Sequence, residues 1–404
     1  MCSWSTLFFM DESPPKLLLD LFQAYYDARK NKRTTDSALR FELNYESHLL
    51  TLYEEIVSRR YEISPSTCFV VREPVLREIF AGDFRDRIVH HLLFNYLNPF
   101  CERLFINDSY ACRTGKGTSY GIRRADHFIR SVSRNYTEPC FVLKLDISGY
   151  FLSIDHTILN EKVRAVIERF RSEATFDVDL VLSLLRQVIF HDHIAHCVVH
   201  GSRTDWNELP VSKSLFHAKA GCGLPIGNLT SQLFGNIYLN LFDHEVSRMI
   251  PGVRYGRYVD DMLLIHEDQD ILRAAVPNIR NSLATHLRLT LHPKKISLQH
   301  YMKGVDFLGV SIRPGRIYLR HRLKGNIYRA ILKWNIGVEN GGYDAAQVAQ
   351  FRSCLNSYLG NIARYRTRTL RKKLLAQLTP QVLQLVSFAS PYRKVVTIEQ
   401  PETL

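Results

Sequence analysis

The sequence has no Cys-x-x-Cys pair, no apolar run approaching a membrane span, no internal repeat and no low-complexity tract. Its 8 cysteines stand singly, which argues against a disulfide framework and fits reduced thiols in a cytoplasm. Without a long apolar run, no membrane partner is expected. The opening Met1-Cys2-Ser3-Trp4 stretch places no charge before its short apolar segment, so no signal peptide is expected. Gly115-Lys116-Gly117-Thr118 lacks the full Walker spacing, which removes an ATPase reading. Acids are also in deficit, with 40 Asp and Glu against 53 Lys and Arg, a formal charge of +13.

What is present is a chain of 404 residues, 46% hydrophobic and 11% aromatic, long enough for a sizeable core in two or three subdomains. Between Arg313 and Lys373 it holds 14 Lys or Arg against 2 acids, Glu339 and Asp344, a local excess of 14 − 2 = 12. Nearly all of the imbalance therefore sits there, interleaved with tyrosines. Leu355, Tyr358, Leu359 and Ile362 recur at helical spacing, so helices with one basic face are expected. Residues 13 to 95 read as mostly helical, with a stripe at Leu17, Leu18, Leu21, Phe22 and Tyr25. Lys30-Asn31-Lys32-Arg33 reads as a basic loop that could touch RNA, and the residues from Pro391 on as a poorly ordered tail.

Three aspartates carry the chemistry. Tyr258-Val259-Asp260-Asp261 lies between Val253-Arg254-Tyr255-Gly256-Arg257 and Met262-Leu263-Leu264-Ile265, the pattern of a β-hairpin with carboxylates at its turn. Upstream, the apolar run Phe141-Val142-Leu143-Lys144-Leu145 ends at Asp146, before Ile147-Ser148-Gly149-Tyr150-Phe151. Side by side in one sheet, strand and hairpin would gather three carboxylates at one edge. Adjacent carboxylates repel, and hard divalent cations with oxygen ligands relieve that repulsion. Two Mg²⁺ ions there would suit in-line displacement at a phosphate, by attack of a primer 3′-hydroxyl on a nucleotide. The run from His191 to His200 holds four His and one Cys. It has no matching pair at finger spacing, so a structural role is favoured over a metal site.

These segments resemble the reverse transcriptases, specifically the bacterial, non-retroviral kind. Arg77-Glu78-Ile79 with Phe84 to His91 is similar to the first fingers motif, and Ser109 to Thr118 to the second. Asp146 and the Tyr258 to Asp261 turn correspond to the two catalytic palm motifs. Gly223-Leu224-Pro225-Ile226-Gly227 through Gln232 corresponds to the motif that packs on the incoming nucleotide. Leu291 to Lys295 resembles the palm-edge lysine motif and Phe307-Leu308-Gly309 the primer grip. The resemblance implies an α+β right-hand polymerase. Its expected parts are an N-terminal helical region and fingers over 1–140, and a palm with an antiparallel catalytic sheet over 141–315. An elaborated connection over 190–220, a basic helical thumb over 316–390 and a tail over 391–404 complete it.

It implies RNA-directed DNA synthesis with Mg²⁺ (two ions, Mn²⁺ as a substitute) and deoxynucleoside triphosphates. Asp146, Asp260 and the carbonyl of Ile147 would hold metal, Asp261 would complete the cluster, and Lys295 would contact triphosphate or assist proton transfer. Phe151 falls at the steric gate, where an aromatic face against C2′ leaves no room for oxygen. Ile226, Gly227 and Gln232 would line the nucleotide pocket, with Arg77 and Arg87 gripping phosphates. Arg113, Lys116, Phe307, Leu308 and Gly309 would touch nucleic acid. So would Arg364, Arg366, Arg368, Arg371, Lys372 and Lys373, as thumb contacts to an RNA–DNA duplex.

One departure is the absence of Lys after Pro74, where Val75 and Leu76 stand, which weakens a triphosphate-binding lysine there. Another narrows the subclass. Ile226-Gly227 and Ser231-Gln232 replace the Gln-Gly and Ser-Pro of many relatives, a form similar to diversity-generating and defence-associated enzymes. Such enzymes imply a template or non-coding RNA as partner, with a small accessory protein or a second reverse transcriptase. An RNA-dependent RNA polymerase is the nearest rival, and a bulky Phe151 argues against it. A catalytically idle nucleic-acid-binding scaffold is the rival of another class, and the presence of all three acids argues against that.

Overall fold

A computed structural model describes residues 14–30, 35–72, 75–341 and 344–398. Of the basic loop expected at Lys30 to Arg33, only Lys30 lies within the described residues, as does none of Glu73 and Pro74. The chain divides into two compact units, one of residues up to Arg124 with Leu143–Leu298, the other of Ala125–Val142 with the residues from Gln299 on.

The first unit opens with α1 (Lys16–Arg29), α2 (Asp36–Glu42) and α3 (Tyr45–Val57). The buried face of α1 is Leu21, Ala24, Tyr25 and Ala28, close to the stripe expected. Tyr25 stacks on Tyr45 with ring centroids 5.0 Å apart and meets Phe84 edge-on at 6.1 Å. The mostly helical reading of this region fails at β1 (Ser66–Val71) and β2 (Arg77–Ala81), an antiparallel pair. The β-branched and aromatic run from Thr67 to Val71 fits a pleated surface better than a helix.

Helices α4 (Phe84–Leu104) and α5 (Thr118–Val132) precede β3 (Phe141–Asp146), α6 (His156–Arg169), α7 (Val178–Phe190) and β4 (Cys197–Val199). Then come α8 (Leu229–Met249), the hairpin β5 (Arg254–Tyr258) and β6 (Asp261–His266), α9 (Gln269–Leu287) and β7 (Ser297–His300). Asp83, Asp155, Asp177 and Asp268 accept backbone N–H bonds at the starts of α4, α6, α7 and α9. Each such cap stabilises its helix by about 1 kcal/mol. The central sheet has the order β5-β6-β3-β7. Helix α8 is buried on most of its faces because α4, α6, α9 and β5 all pack on it.

Between α7 and α8 the chain makes short 3-10 turns that are pinned by one buried carboxylate. Glu78 on β2 accepts from Trp206 Nε1 and Ser214 Oγ, both at 2.7 Å, and from the Leu215 backbone N–H at 2.6 Å. Phe80 and Leu215 form the apolar half of the same joint with Cys68.

The second unit holds a sheet of β8 (Val305–Phe307), β9 (Val310–Arg313) and β10 (Arg316–Leu319), in the order β10-β9-β8. Helices α10 (His321–Glu339), α11 (Ala345–Ile362), α12 (Arg368–Leu375) and α13 (Pro380–Leu385) follow, then β11 (Val386–Ala389), α14 (Ser390–Arg393) and β12 (Lys394–Thr397). The tail expected from Pro391 is corrected over its first residues. Strand β12 pairs with β11 and buries Val395 fully, so residues through Thr397 are folded.

Buried titratable groups give the first unit a pH signature. Burial is the main cause that brings His90 and His193 down to about 3 each. Burial also pushes Asp86 up to about 6, against hydrogen bonds from Tyr61 and Ser64. The folded state thus binds fewer protons than the unfolded chain at the histidines below pH ~6.5 and more at Asp86 between pH ~4 and ~6. Stability is expected to fall as pH drops from 7.5 to 6, by at most about 1.4 kcal/mol per unit for each histidine. Below pH 6, proton uptake by Asp86 offsets part of that slope. Urea midpoints measured from pH 7.5 to 4.5 check this, and His193→Phe should flatten the first fall.

Candidate active site

The acidic edge is assembled by sheet geometry. Strands β6 and β3 are neighbours, so Asp146 at the end of β3 meets Asp261 at the start of β6. Tyr258 pairs with Asp261, which leaves Val259 and Asp260 as a two-residue turn. The turn therefore carries one carboxylate, with the second already on the strand. Val259 has φ +56°, and Asp260 is not among the positive-φ residues, the pattern of a type II′ turn. A β-branched residue there is strained, and glycine is the usual occupant.

The strain is held from below. Arg257 is fully buried and donates from Nη1 to the Val259 carbonyl at 2.8 Å. Its Nε and Nη2 donate to the two oxygens of Asp243 on α8, at 2.7 and 2.6 Å. Tyr255 donates its hydroxyl to Asp243 at 2.8 Å. Tyr110 locks the outer side: its N–H donates to the Arg257 carbonyl at 2.9 Å. The Tyr110 hydroxyl also sits where a Cβ on Gly256 would stand, so only glycine fits that position.

The electrostatics follow from the crowding of acids. Burial, then the fields of Asp146 and Asp261, push Asp260 up to about 6. Burial likewise raises Asp261, with Lys144 acting against it. Lys295 Nζ donates to both oxygens of Asp146 at 2.8 and 2.9 Å. Burial would lower the lysine, but this bond and the neighbouring aspartates raise it instead. The His292 N–H donates to the Asp146 carbonyl at 2.8 Å, and Ile147 bridges to Leu291, so the lysine motif is stitched to the strand end. Among the described residues, no three His, Cys, Asp or Glu side chains stand in an arrangement that itself holds a metal ion, at the acidic edge or in the run from His191 to His200. The donor chemistry nevertheless suits a hard cation, because an ammonium now pairs with Asp146 beside two carboxylates raised chiefly by burial.

The segments around Phe151, Ile226 and Gly227 are tied by backbone contacts to Leu224 and Phe80. Phe151 lies half-buried in a 3-10 turn, its ring against Gly235 of α8, and its carbonyl accepts from the Leu224 N–H at 2.8 Å. The Ile226 carbonyl accepts from the Phe80 N–H at 2.9 Å, and Gly227 (φ +138°) runs so close to the Phe80 carbonyl that no Cβ fits. Gln232 and Arg77 are exposed. Arg87 donates to the Gly82 carbonyl at 2.9 Å, and burial lowers its pKa. Lys116 is held on Asn107.

Three expected contacts are corrected. Arg113 is no template contact, because its side chain is only 4% exposed and pairs with Glu102 at 2.8 Å while donating to the Ile106 and Ser109 carbonyls. Phe307 is buried in the β8–β9 hairpin, whose tip is Leu308 and Gly309 at φ +47° and +86°. Arg371 is buried and donates to the Tyr392 carbonyl at 3.0 Å, so it anchors α14. Arg364, Arg366, Arg368, Lys372 and Lys373 are exposed. The roles of Arg257, Asp243 and Tyr110 were not apparent from sequence. The only signal was a charge at an inward strand position and another inside an apolar helix.

A strand end and a tight hairpin that bring three carboxylates and one lysine to a sheet edge define a palm of the nucleotidyl-transfer kind. The chain belongs to the reverse transcriptase (RNA-dependent DNA polymerase) family, whose model matches residues 76–312, and its α+β fold is the right-hand polymerase fold. It is similar to Protein YkfC of Escherichia coli (strain K12), 26% identical over 295 residues, 65% of this chain and 70% of that protein. Among solved structures it resembles Candida albicans telomerase in complex with a TWJ fragment of telomeric RNA, at TM-score 0.44 and 13% identity. That match covers 83% of this chain and 65% of the telomerase chain. Apo telomerase from Candida tropicalis gives TM-score 0.44 and 10% identity, over 83% and 63% of the two chains. The chain thus spans just under two thirds of these telomerase chains.

Among the described residues, no helix is long and apolar enough to cross a membrane.

Proposed function

We propose that this protein is an RNA-directed DNA polymerase that extends a primer with deoxynucleotides on an RNA template. The observation that carries the reading is the convergence of Asp146, Asp260 and Asp261 at one sheet edge, with Asp260 raised by burial and by its neighbours. Asp146, Asp260 and Asp261, with the Ile147 carbonyl, would hold two Mg²⁺ ions (or Mn²⁺), which activate the attacking hydroxyl and neutralise the triphosphate. The protein's own part is positional. Arg257 fixes the turn, Lys295 exchanges Asp146 for the incoming triphosphate, and the Phe80 and Ile226 backbones set the nucleotide wall. Arg77 and Arg87 would contact phosphate from the fingers side, and the exposed Arg368, Lys372 and Lys373 would contact a template–primer duplex. Family membership supports RNA as template.

Phe151 would choose the sugar. Primer extension on an RNA template with deoxynucleotides or ribonucleotides tests both template and sugar. The wild type should use deoxynucleotides almost alone. Phe151→Val should raise ribonucleotide incorporation by roughly 10- to 100-fold, since relief of one steric clash amounts to about 1–3 kcal/mol. Equal use of both sugars by the wild type would instead favour an RNA polymerase. The Ile226-Gly227 form supports a role in a bacterial retroelement or anti-phage defence, in a cytoplasm, with a non-coding RNA and an accessory protein or second reverse transcriptase. Sequencing the cDNA that copurifies with the protein identifies that template.

A further inference from the structure

Within the second unit, a cavity of about 380 Å³ is lined by Arg130, Arg316, Arg364 and Arg366, with Asp126 as its one carboxylate and Tyr136 in its wall. Arg130, Arg316 and Arg366 make no salt bridge among the described residues, although the surface around them is accessible. Guanidiniums gathered around one concavity repel unless an anion joins them, and their planar forks match phosphate oxygens.

The backbone beside the cavity turns at the end of α5, where the Asn135 N–H donates to the Arg130 carbonyl at 2.8 Å. Arg134, Asn135 and Tyr136 are consecutive residues with φ of +46°, +58° and +73°. Left-handed residues normally occur singly, and Arg and Tyr gain nothing there that Gly would not supply at lower cost. The run closes the end of the helix. Its result is to set Tyr136 in the cavity wall, stacked on Tyr301 at 5.9 Å with its hydroxyl 3.5 Å from Asp126. The Tyr301 hydroxyl donates to the Tyr136 carbonyl at 3.1 Å, so the wall is fixed from behind.

We propose that this cavity captures one nucleotide of a single RNA strand, its phosphate on the guanidiniums and its ribose 2′-hydroxyl donating to Asp126. The nature of the strand rests on the polymerase reading above. The volume is that of a small-ligand site. A closed duplex presents its phosphates on a convex face and cannot enter, so this contact differs from thumb contacts to the template–primer helix. It would anchor the RNA outside the paired region.

The test uses the full-length protein in EDTA without nucleotides, so that binding is read apart from polymerisation. Fluorescence anisotropy follows a labelled single-stranded RNA, the same sequence as DNA, and the RNA–DNA duplex. Arg130→Gln/Arg316→Gln should weaken the single RNA strand at least about 10-fold. It should also lower the salt slope by about 0.7, the value for one single-strand phosphate contact. Duplex affinity should stay within about twofold. Asp126→Ala should remove most of the wild type's preference for RNA over DNA. Both arginines are exposed, and an unchanged melting temperature confirms the fold. Equal weakening of strand and duplex, or weakening of neither, overturns the proposal. Loss of primer extension in the wild type would instead overturn the polymerase reading.

Discussion

Asp260→Ala should lose primer extension by roughly 10³- to 10⁴-fold, the scale seen when one member of a tightly coupled catalytic set is removed. The reason lies in the turn. Asp260 occupies the second of two turn residues, held between strands whose register fixes its distance from Asp146. The two other described carboxylates at this edge, Asp146 and Asp261, already hold their own places on β3 and β6. A second measurement separates this from misfolding. Asp260 is raised to about 6 by burial and by like charges, so the folded state holds it at a disadvantage when ionised. The variant should therefore melt at the same temperature as the wild type or slightly higher at pH 7.5. A protein that loses activity while gaining stability is the signature of a site kept against its own repulsion. Retention of more than about a tenth of the wild-type rate would remove Asp260 from the mechanism.

Arg257→Met should cost about 3–5 kcal/mol of stability, read as a lower urea midpoint. The guanidinium is wholly buried and bidentate on Asp243, so its removal strands a carboxylate that is itself 1% exposed. The double variant Arg257→Met/Asp243→Leu should recover most of that loss, because replacing both ions by apolar groups is close to neutral. Extension activity should not recover with it. The Val259 carbonyl would still lack its donor, and the strained turn above it would be free to relax. If the double variant were as active as the wild type, Arg257 would serve stability alone.

The acidic edge was legible in the sequence because two strand-like runs end at aspartates, and alternation in a strand leaves few places for them to go. The basic residues were less legible, and Arg113 and Arg371 show why. A guanidinium in a charge run looks the same whether it faces solvent or reaches inward, and its partner is set by tertiary packing. For Arg113 the partner is Glu102, on the preceding helix and 11 positions away, a spacing with no helical or strand meaning. For Arg371 it is a backbone carbonyl, which leaves no mark in sequence at all. The β1–β2 pair was hidden by the helices on either side. Phe307 was misread because a motif name covers both the residues that anchor a hairpin and those at its tip.

The two-residue turn has one more consequence. A pleated strand can shift its register only in whole residues, and each single step turns every side chain to the opposite face. With no spare residue between Tyr258 and Asp261, the carboxylates have no intermediate position into which an insertion or deletion could nudge them. Evolution can keep this edge or lose it, but cannot adjust it by degrees. Any diversification of templates and nucleotides among such chains has to be written in the loops and helices around it.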